Sequence, residues 1–326
     1  MAPRTLEIDI SENRLRNRGR ILDILLSVQN TKQNIIWATD SYVKYGKGFT
    51  PKKQIKREQI TGINGKLIQP RAAKSRVEQI ARTKDKAEVF TPLKIVKQMN
   101  KALDWASKNY PATDENWIYY IKELRLEITC GEAPFIAGRY NPTANTGVVI
   151  TPKNRVGFFD RKLQVVGKHA KSKKEWLKYA ELALKATYGY EWQGDNLIIA
   201  RENVLLTLVD FYKDFCSNKL KLKHKQHLTD EQLEYFTEII SWNIFQMDGI
   251  KFVVPMSCRH VNRVIPGELT LFGEMPDVVE RDECEGCKFN RPTKHNGKYV
   301  QIMDWATGKH INFVNLITEL ETHQEK

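Results

Sequence analysis

The 326-residue sequence contains no apolar run approaching the ~18 residues that a membrane-crossing helix needs. Its opening stretch, MAPRTLEIDISENRLRNRGR, lacks the apolar core of a secretory signal. Together these absences lead us to expect a cytoplasmic protein with no membrane partner. Cysteine is scarce. The five present fit a reducing compartment, where thiols or metal ligands are expected rather than a disulfide framework. No internal repeat is apparent. Acidic residues are in deficit, 39 against 52 Lys and Arg, which leaves a net charge of +13. What is present is a foldable composition: 41% hydrophobic and 28% charged predicts a packed core rather than disorder. The length suits one large α/β domain with an extension, or two domains.

Part of the positive charge is concentrated. Residues 51–86 carry eleven basic and three acidic side chains, a local net of +8. Such a segment can lie along a phosphate backbone and gain affinity by releasing counterions. Lys52, Lys53, Lys56, Arg57, Arg71, Lys74 and Arg76 are the candidate contacts to double-stranded DNA. The competing reading is a solvated face. A second run, KLKLKHKQH at 219–227, divides the same way between a DNA-facing loop and plain surface.

Periodicity predicts a helix over residues 12–29, then a short strand and turn in NIIWATDSYVKYG. Asn64-Gly65 reads as a hairpin-type turn. In EVFTPLKIVKQMNKALDWA, Thr91 is placed to cap a helix that Pro92 opens, with Leu93, Val96, Met99 and Leu103 as its apolar face. From Leu124 onward strands alternate with amphipathic helices, the order expected of a parallel sheet covered on both faces. The loop carrying Asn141-Pro142 and Thr146-Gly147 lies within this stretch.

Glu127, Glu191 and Asp248 sit at or near the ends of three successive predicted strands. In an open parallel sheet those ends line one crevice. An acid after the second strand can accept from ribose hydroxyls, and one after the third from an adenine amino group. That combination suits an adenosine-containing cofactor. The stretch LEITCGEAPF runs from strand into Gly131 but continues with Glu132, Ala133 and Pro134 rather than further glycine.

The ordered strings EVFTP, LEITCGEAPF, YGYEWQGDNLIIARENVL and NIFQMDG resemble the adenine-specific DNA methyltransferases of restriction–modification systems. RILDILLSVQNTKQNIIWATD and TKDKAEVFTP resemble the amino-terminal signature of their modification subunits. The resemblance covers nearly the whole chain. It implies a Rossmann-like α/β core that binds S-adenosylmethionine. Phe90, Thr91 and Pro92 would pack on the methionine end of that cofactor. Glu127, Thr129, Cys130, Gly131 and Phe135 would form its loop. Glu191 would meet the ribose, Ala200-Arg201 would belong to the following helix, and Asp248 would read the adenine. Ala133 replaces the loop's second glycine. Because alanine disfavours a left-handed backbone, either a different turn or a weakly binding pocket is expected there. Glu132 would add a charge to the loop.

The sequence lacks the Asn/Asp-Pro-Pro-Tyr/Phe tetrapeptide with which such enzymes hold a flipped base. RYNPTA and FNRPTK come nearest, and neither has Pro-Pro before an aromatic. No catalytic residue is assigned. Two readings follow. The chain is the cofactor-binding half of a split enzyme whose second subunit carries an N-P-P-Y loop, or it is an inactive DNA-binding module that blocks or guides a restriction component.

CEGC at 284–287 supplies two ligands from one tight turn, a zinc pattern. Cys258 and His295 complete a Cys₃His set, with His260 a rival to Cys258. Zinc, reduced thiols and a redox pair remain open. Cys130 and Cys216 are expected to be buried thiols. Residues 255–300 have little apolar periodicity, as in an insertion held by a metal. The expected division is a basic α+β extension over 1–86, a methyltransferase-like core over 87–254, the insertion over 255–300, and the carboxy-terminal part of the core over 301–326.

Overall fold

The computed structural model describes residues 15–317 apart from 87, 145–147, 225, 267–268, 271–272 and 275. The chain is mixed α/β and divides into two compact units, residues 1–245 and 246–326. No helix among the described residues is long and apolar enough to cross a membrane.

The first unit opens with helix α1 (Gly19–Leu26), whose Ile21, Leu22, Leu25 and Leu26 are buried. Strands β1 (Ser27–Val28) and β2 (Gln33–Asn34) pair antiparallel behind it. Short helix α2 (Arg57–Ile60) and helix α3 (Arg76–Lys86) follow, then α4 (Leu93–Ala106) and α5 (Trp117–Lys122). Strand β3 (Arg125–Glu127), helices α6 (Phe158–His169) and α7 (Lys173–Lys185), and strand β4 (Thr187–Glu191) come next. Helices α8 (Gly194–Asp214) and α9 (Asp230–Asn243) precede strand β5 (Ile244–Gln246), where the unit ends. The sheet order is β3-β4-β5, with β3 parallel to β4 in the register Arg125 to Thr187.

Helix α8 is the axis of this unit. It is buried on nearly every side along most of its length, as an interior helix should be. Gly194 opens it so close to the preceding chain that a Cβ there would lie 2.1 Å from the Ile36 carbonyl oxygen. Residues 15–86 wrap this helix instead of forming a separate extension. Arg16 makes a buried bidentate pair with Glu202, at 2.6 and 2.8 Å. Trp37, Ile55 and Ile60 are fully buried, so the amino-terminal segment supplies part of the core. The chain therefore divides at 245/246, whereas composition pointed to breaks near 86, 254 and 300. Apolar burial, rather than charge, sets the boundary.

Several local expectations are corrected. Residues 62–64 and 71–73 form 3-10 turns, and no hairpin forms around Asn64-Gly65. Helix α4 begins at Leu93 after Pro92, and Thr91 makes no capping bond. Its inward face is Val96, Asn100 and Asp104, while Met99 and Leu103 are exposed. The polar residues face inward because each finds partners. Asn100 Nδ2 donates to the carbonyls of Phe135 and Val156, both at 3.0 Å. Asp104 accepts from Tyr120 at 2.9 Å and from Arg125 at 2.7 Å, and pairs with Arg161. By contrast, the α9 start is as expected: Thr229 and Gln232 form a capping box.

The second unit holds two antiparallel pairs, β6 (Val261–Ile265) with β9 (Val278–Asp282) and, between them in the chain, β7 (Leu269–Thr270) with β8 (Gly273–Glu274). Helix α10 (Glu285–Phe289) and the hairpin of β10 (Gln301–Asp304) with β11 (Lys309–Asn312) complete it.

Candidate functional site

A cleft of about 790 Å³ opens at the carboxyl ends of β3 and β4, within the first unit. Phe90, Thr91, Glu127, Thr129, Cys130, Gly131, Phe135 and Glu191 all line it. Pro92 is exposed and is not among the lining residues. Asp248 belongs to the second unit, where its Oδ1 accepts from the N–H groups of Ile250 and Lys251 at 3.0 and 3.1 Å and so shapes its own turn.

The loop after β3 is held in an unusual backbone. Thr129, Gly131 and Ala133 have φ of 47°, 54° and 61°. Ala133 thus adopts the left-handed conformation that glycine would adopt freely. The left-handed region costs a non-glycine residue roughly 1–2 kcal/mol, so the loop must be held by its surroundings. Glu127 supplies part of that hold, accepting from the N–H of Ile136 at 3.1 Å and of Phe135 at 3.4 Å. Burial pushes its carboxyl well above the ordinary range. Cys130 N–H donates to the Tyr190 carbonyl at 2.8 Å, and the buried thiol is likewise pushed up by burial.

Glu132 does not charge the cleft. It turns into the interior, where it accepts from the Arg71 N–H at 2.6 Å and from the Tyr140 hydroxyl at 2.7 Å. Two of the residues expected to face DNA belong to this interior. Lys74 is only 5% exposed; burial raises the Glu132 carboxyl, and the positive charge of Lys74 works against that rise. Arg71 is half-buried, with its guanidinium 4.8 Å from the ring centre of Phe90. A buried ammonium near carboxylates cannot also meet a phosphate backbone, so Lys74 is removed from that set. Lys52, Lys53, Lys56 and Arg76 remain exposed, and the exposed Arg57 pairs with Asp23.

Glu191 is the best-placed acid. Its Oε2 accepts from the Gly131 N–H at 2.8 Å and its Oε1 from the Gln193 N–H at 3.0 Å. A carboxylate has about four acceptor positions, so each oxygen keeps capacity for a ligand hydroxyl. Burial raises the carboxyl to about 7 against the pull of those two N–H groups, and Asp195 and Glu88 add to the rise. Two neighbours in the cleft lining carry buried side-chain oxygens without a hydrogen-bond partner, Gln193 Oε1 and Asn196 Oδ1. Such orphaned acceptors fit a ligand that brings donors.

Sequence reasoning passed over the network beside the cleft. Arg82 pairs with Glu88 and with Asp195 at 2.6 Å, and Tyr42 donates to the same Asp195 oxygen at 2.8 Å. Asn196 donates to Glu88 at 3.3 Å. The signal available was EWQGDN: acid and amide residues crowded at the start of an otherwise apolar helix.

In the second unit the ligand atoms of Cys258, Cys284, Cys287 and His295 lie within 4.8 Å of one another, a group that could hold a metal ion. His295 Nδ1 is 3.6, 3.7 and 3.7 Å from the three sulfurs. Tetrahedral zinc with ordinary bond lengths would place sulfur and nitrogen about 3.6 Å apart. Cys284 caps α10 and Cys287 lies within it, which gives the C-x-x-C spacing its shared direction. Gly286 is needed for space rather than for its turn, since a Cβ there would lie 2.6 Å from the His295 ring. The rival His260 instead contacts the Asp282 carbonyl at 3.3 Å. Against desolvation, backbone hydrogen bonds from Asn296 and Cys287 and a side-chain bond from His295 bring the Cys284 thiol down to about 6. Burial and the neighbouring sulfurs push Cys258 up to about 12. Cys130 and Cys216 are buried, as expected of plain thiols.

No family model, no curated protein and no solved structure matches the chain.

The raised carboxyl of Glu191 predicts a pH effect. Its folded value of about 7 lies above the ordinary 4.5, so its contribution to stability is full below pH 4.5 and is lost as pH rises through 7. The interval corresponds to about 3 kcal/mol. Urea denaturation of Glu191→Gln should show a shallower loss of stability between pH 5 and 7 than the parent chain. Parallel pH profiles would contradict a buried, proton-binding Glu191.

Proposed function

We propose that the chain is the S-adenosylmethionine-binding subunit of a split DNA adenine methyltransferase, the modification component of a restriction–modification-type system. The observation that carries this reading is Glu191: a buried acid at the end of the second sheet strand, facing a cleft at the crevice side of a parallel sheet. It is suited to accept from the two ribose hydroxyls of an adenosine-type ligand. Gln193 and Asn196 offer further acceptors beside it, and Phe90, Thr91, Met99 and Leu103 supply a mixed apolar wall. The cleft volume falls within the ~300–1,000 Å³ typical of small-molecule sites. S-adenosylmethionine brings an electrophilic methyl group. The chain's own residues orient the donor but include no recognised loop to accept from a target amino group.

Calorimetry with S-adenosylmethionine should give one binding event per chain. Glu191→Gln should weaken it about 10–100-fold, the loss of hydrogen bonds to a charged acceptor. A parent chain that takes up no S-adenosylmethionine would sink the proposal, and so would robust tritiated methyl transfer to mixed-sequence DNA by the isolated chain.

The Cys₃His group serves, in this reading, as a structural zinc site. Closed four-ligand sites contribute directly to folding. Elemental analysis of protein purified without chelator should find about one zinc per chain. Chelation should unfold the second unit while the first keeps its transition. Absence of zinc, with Cys284→Ser leaving both transitions unmoved, would return the cluster to free thiols.

Double-stranded DNA is the proposed partner of the exposed lysines after Pro51. Changing Lys52, Lys53 and Lys56 to Gln should weaken binding to all sequences alike and reduce the salt slope by about 3. An unchanged slope would identify these lysines as a solvated face.

A further inference from the structure

The three-stranded parallel sheet of the first unit has the strand order of one half of a doubly wound sheet. Such folds join two βαβαβ halves in the strand order 3-2-1-4-5-6, with the ligand crevice where the order reverses. Here the order is β5-β4-β3, so the first strand lies at the edge. Among the described residues no strand pairs on the other side of β3, the side on which a second half begins.

That edge has the surface of an interface. Leu124, Leu126 and Ile128 share one face of the extended chain by alternation and are 74, 42 and 65% exposed. Met99 and Leu103 of α4, 55 and 43% exposed, line the same cleft as Leu126 and Ile128. The apolar strip is therefore continuous with the cleft. It borders α4, which also presents Lys94, Lys97 and Lys101 to solvent. Edge strands with exposed apolar side chains are templates for pairing.

We propose that β3 is the docking edge for a second, different polypeptide, which adds a strand parallel to it and covers the apolar strip with its own apolar face and an acidic rim. This deepens the split-enzyme reading, on which it rests for the identity of the partner as the catalytic half. A second copy of this chain fits less well. A two-fold axis would pair β3 antiparallel to itself and bring the α4 lysines of two chains with net charge +13 together. The added strand would end beside the cleft, where a loop at its carboxyl end could reach a ligand held by Glu191.

The test places a photo-crosslinking benzoylphenylalanine at Met99 or at Leu126 in the full chain, expressed in its own host cells. Ile63, exposed elsewhere in the first unit, is the control position. Irradiation should join one polypeptide of different sequence at positions 99 and 126 but not at 63. The crosslinked segment should be a β-strand followed by an Asn/Asp-Pro-Pro-aromatic loop. Leu126→Lys should cut the adduct at 99 by about 30-fold, the loss of one interface hot spot, without moving the thermal midpoint. An adduct between two copies, an adduct within the chain, equal labelling at position 63, a partner without that loop, or no adduct would each overturn the proposal. Calorimetry separates the two readings. Cofactor binding without an adduct removes the docking edge alone, while an adduct without cofactor binding removes the cofactor reading alone.

Discussion

The first unit depends on a buried cation that no carboxylate neutralises among the described residues. Arg201, in the middle of α8, donates to four backbone carbonyls: Ile244 at 2.7 Å, Leu25 at 2.5 Å, and Ser27 and Ser241 at 2.9 Å. Burial pulls its guanidinium down to about 9, still above neutrality, so the charge persists inside. The four carbonyls come from the end of α1 and from the junction of α9 with β5. One side chain thus substitutes for the water that these chain ends would otherwise need. It also fixes β5 against the helix that follows β4, and through β4 it fixes the mouth of the cleft.

The strained loop is a second-level consequence of that frame. Thr129 and Ala133 stay left-handed because Glu127, Glu191 and Tyr190 bind the N–H groups around them, and all three stand on β3 or β4. Ala133 holds a left-handed backbone because surrounding hydrogen bonds outweigh a local preference of roughly 1–2 kcal/mol. Glu132 reinforces the same point. Its carboxylate reaches the Arg71 backbone, so the loop and the amino-terminal segment hold one another.

Periodicity was sufficient wherever burial agreed with local preference. The helices at 173–185, 194–214 and 230–243 and the strands at 187–191 and 244–246 follow their patterns closely. The Cys₃His group was legible because C-x-x-C and a downstream histidine have few other uses. Sequence failed where polar residues went inside. Val96, Asn100 and Asp104 make the buried face of α4 because Arg125, Tyr120 and two loop carbonyls wait there, and no spacing rule shows partners 16 to 56 residues away. Lys74 read as a DNA-facing charge for the same reason. A basic segment looks uniform until its acidic partners, Glu88, Glu132 and Asp195, are located. Composition pointed to a break near residue 86 because charge changes there, whereas buried residues on both sides of it belong to one unit.

The Glu191 carboxyl also occupies backbone donors on both sides of the cleft mouth. Phosphate groups are usually held by free backbone N–H groups at a glycine loop and at the helix that follows. Here the N–H of Gly131, in the loop, and of Gln193, just before α8, are already given to Glu191. Glu88 and Glu127 stand on the same walls, so a phosphate would meet carboxyl groups instead of donors. The backbone donors that a phosphate-binding loop would present at these two positions are therefore already committed to a side chain of the protein itself.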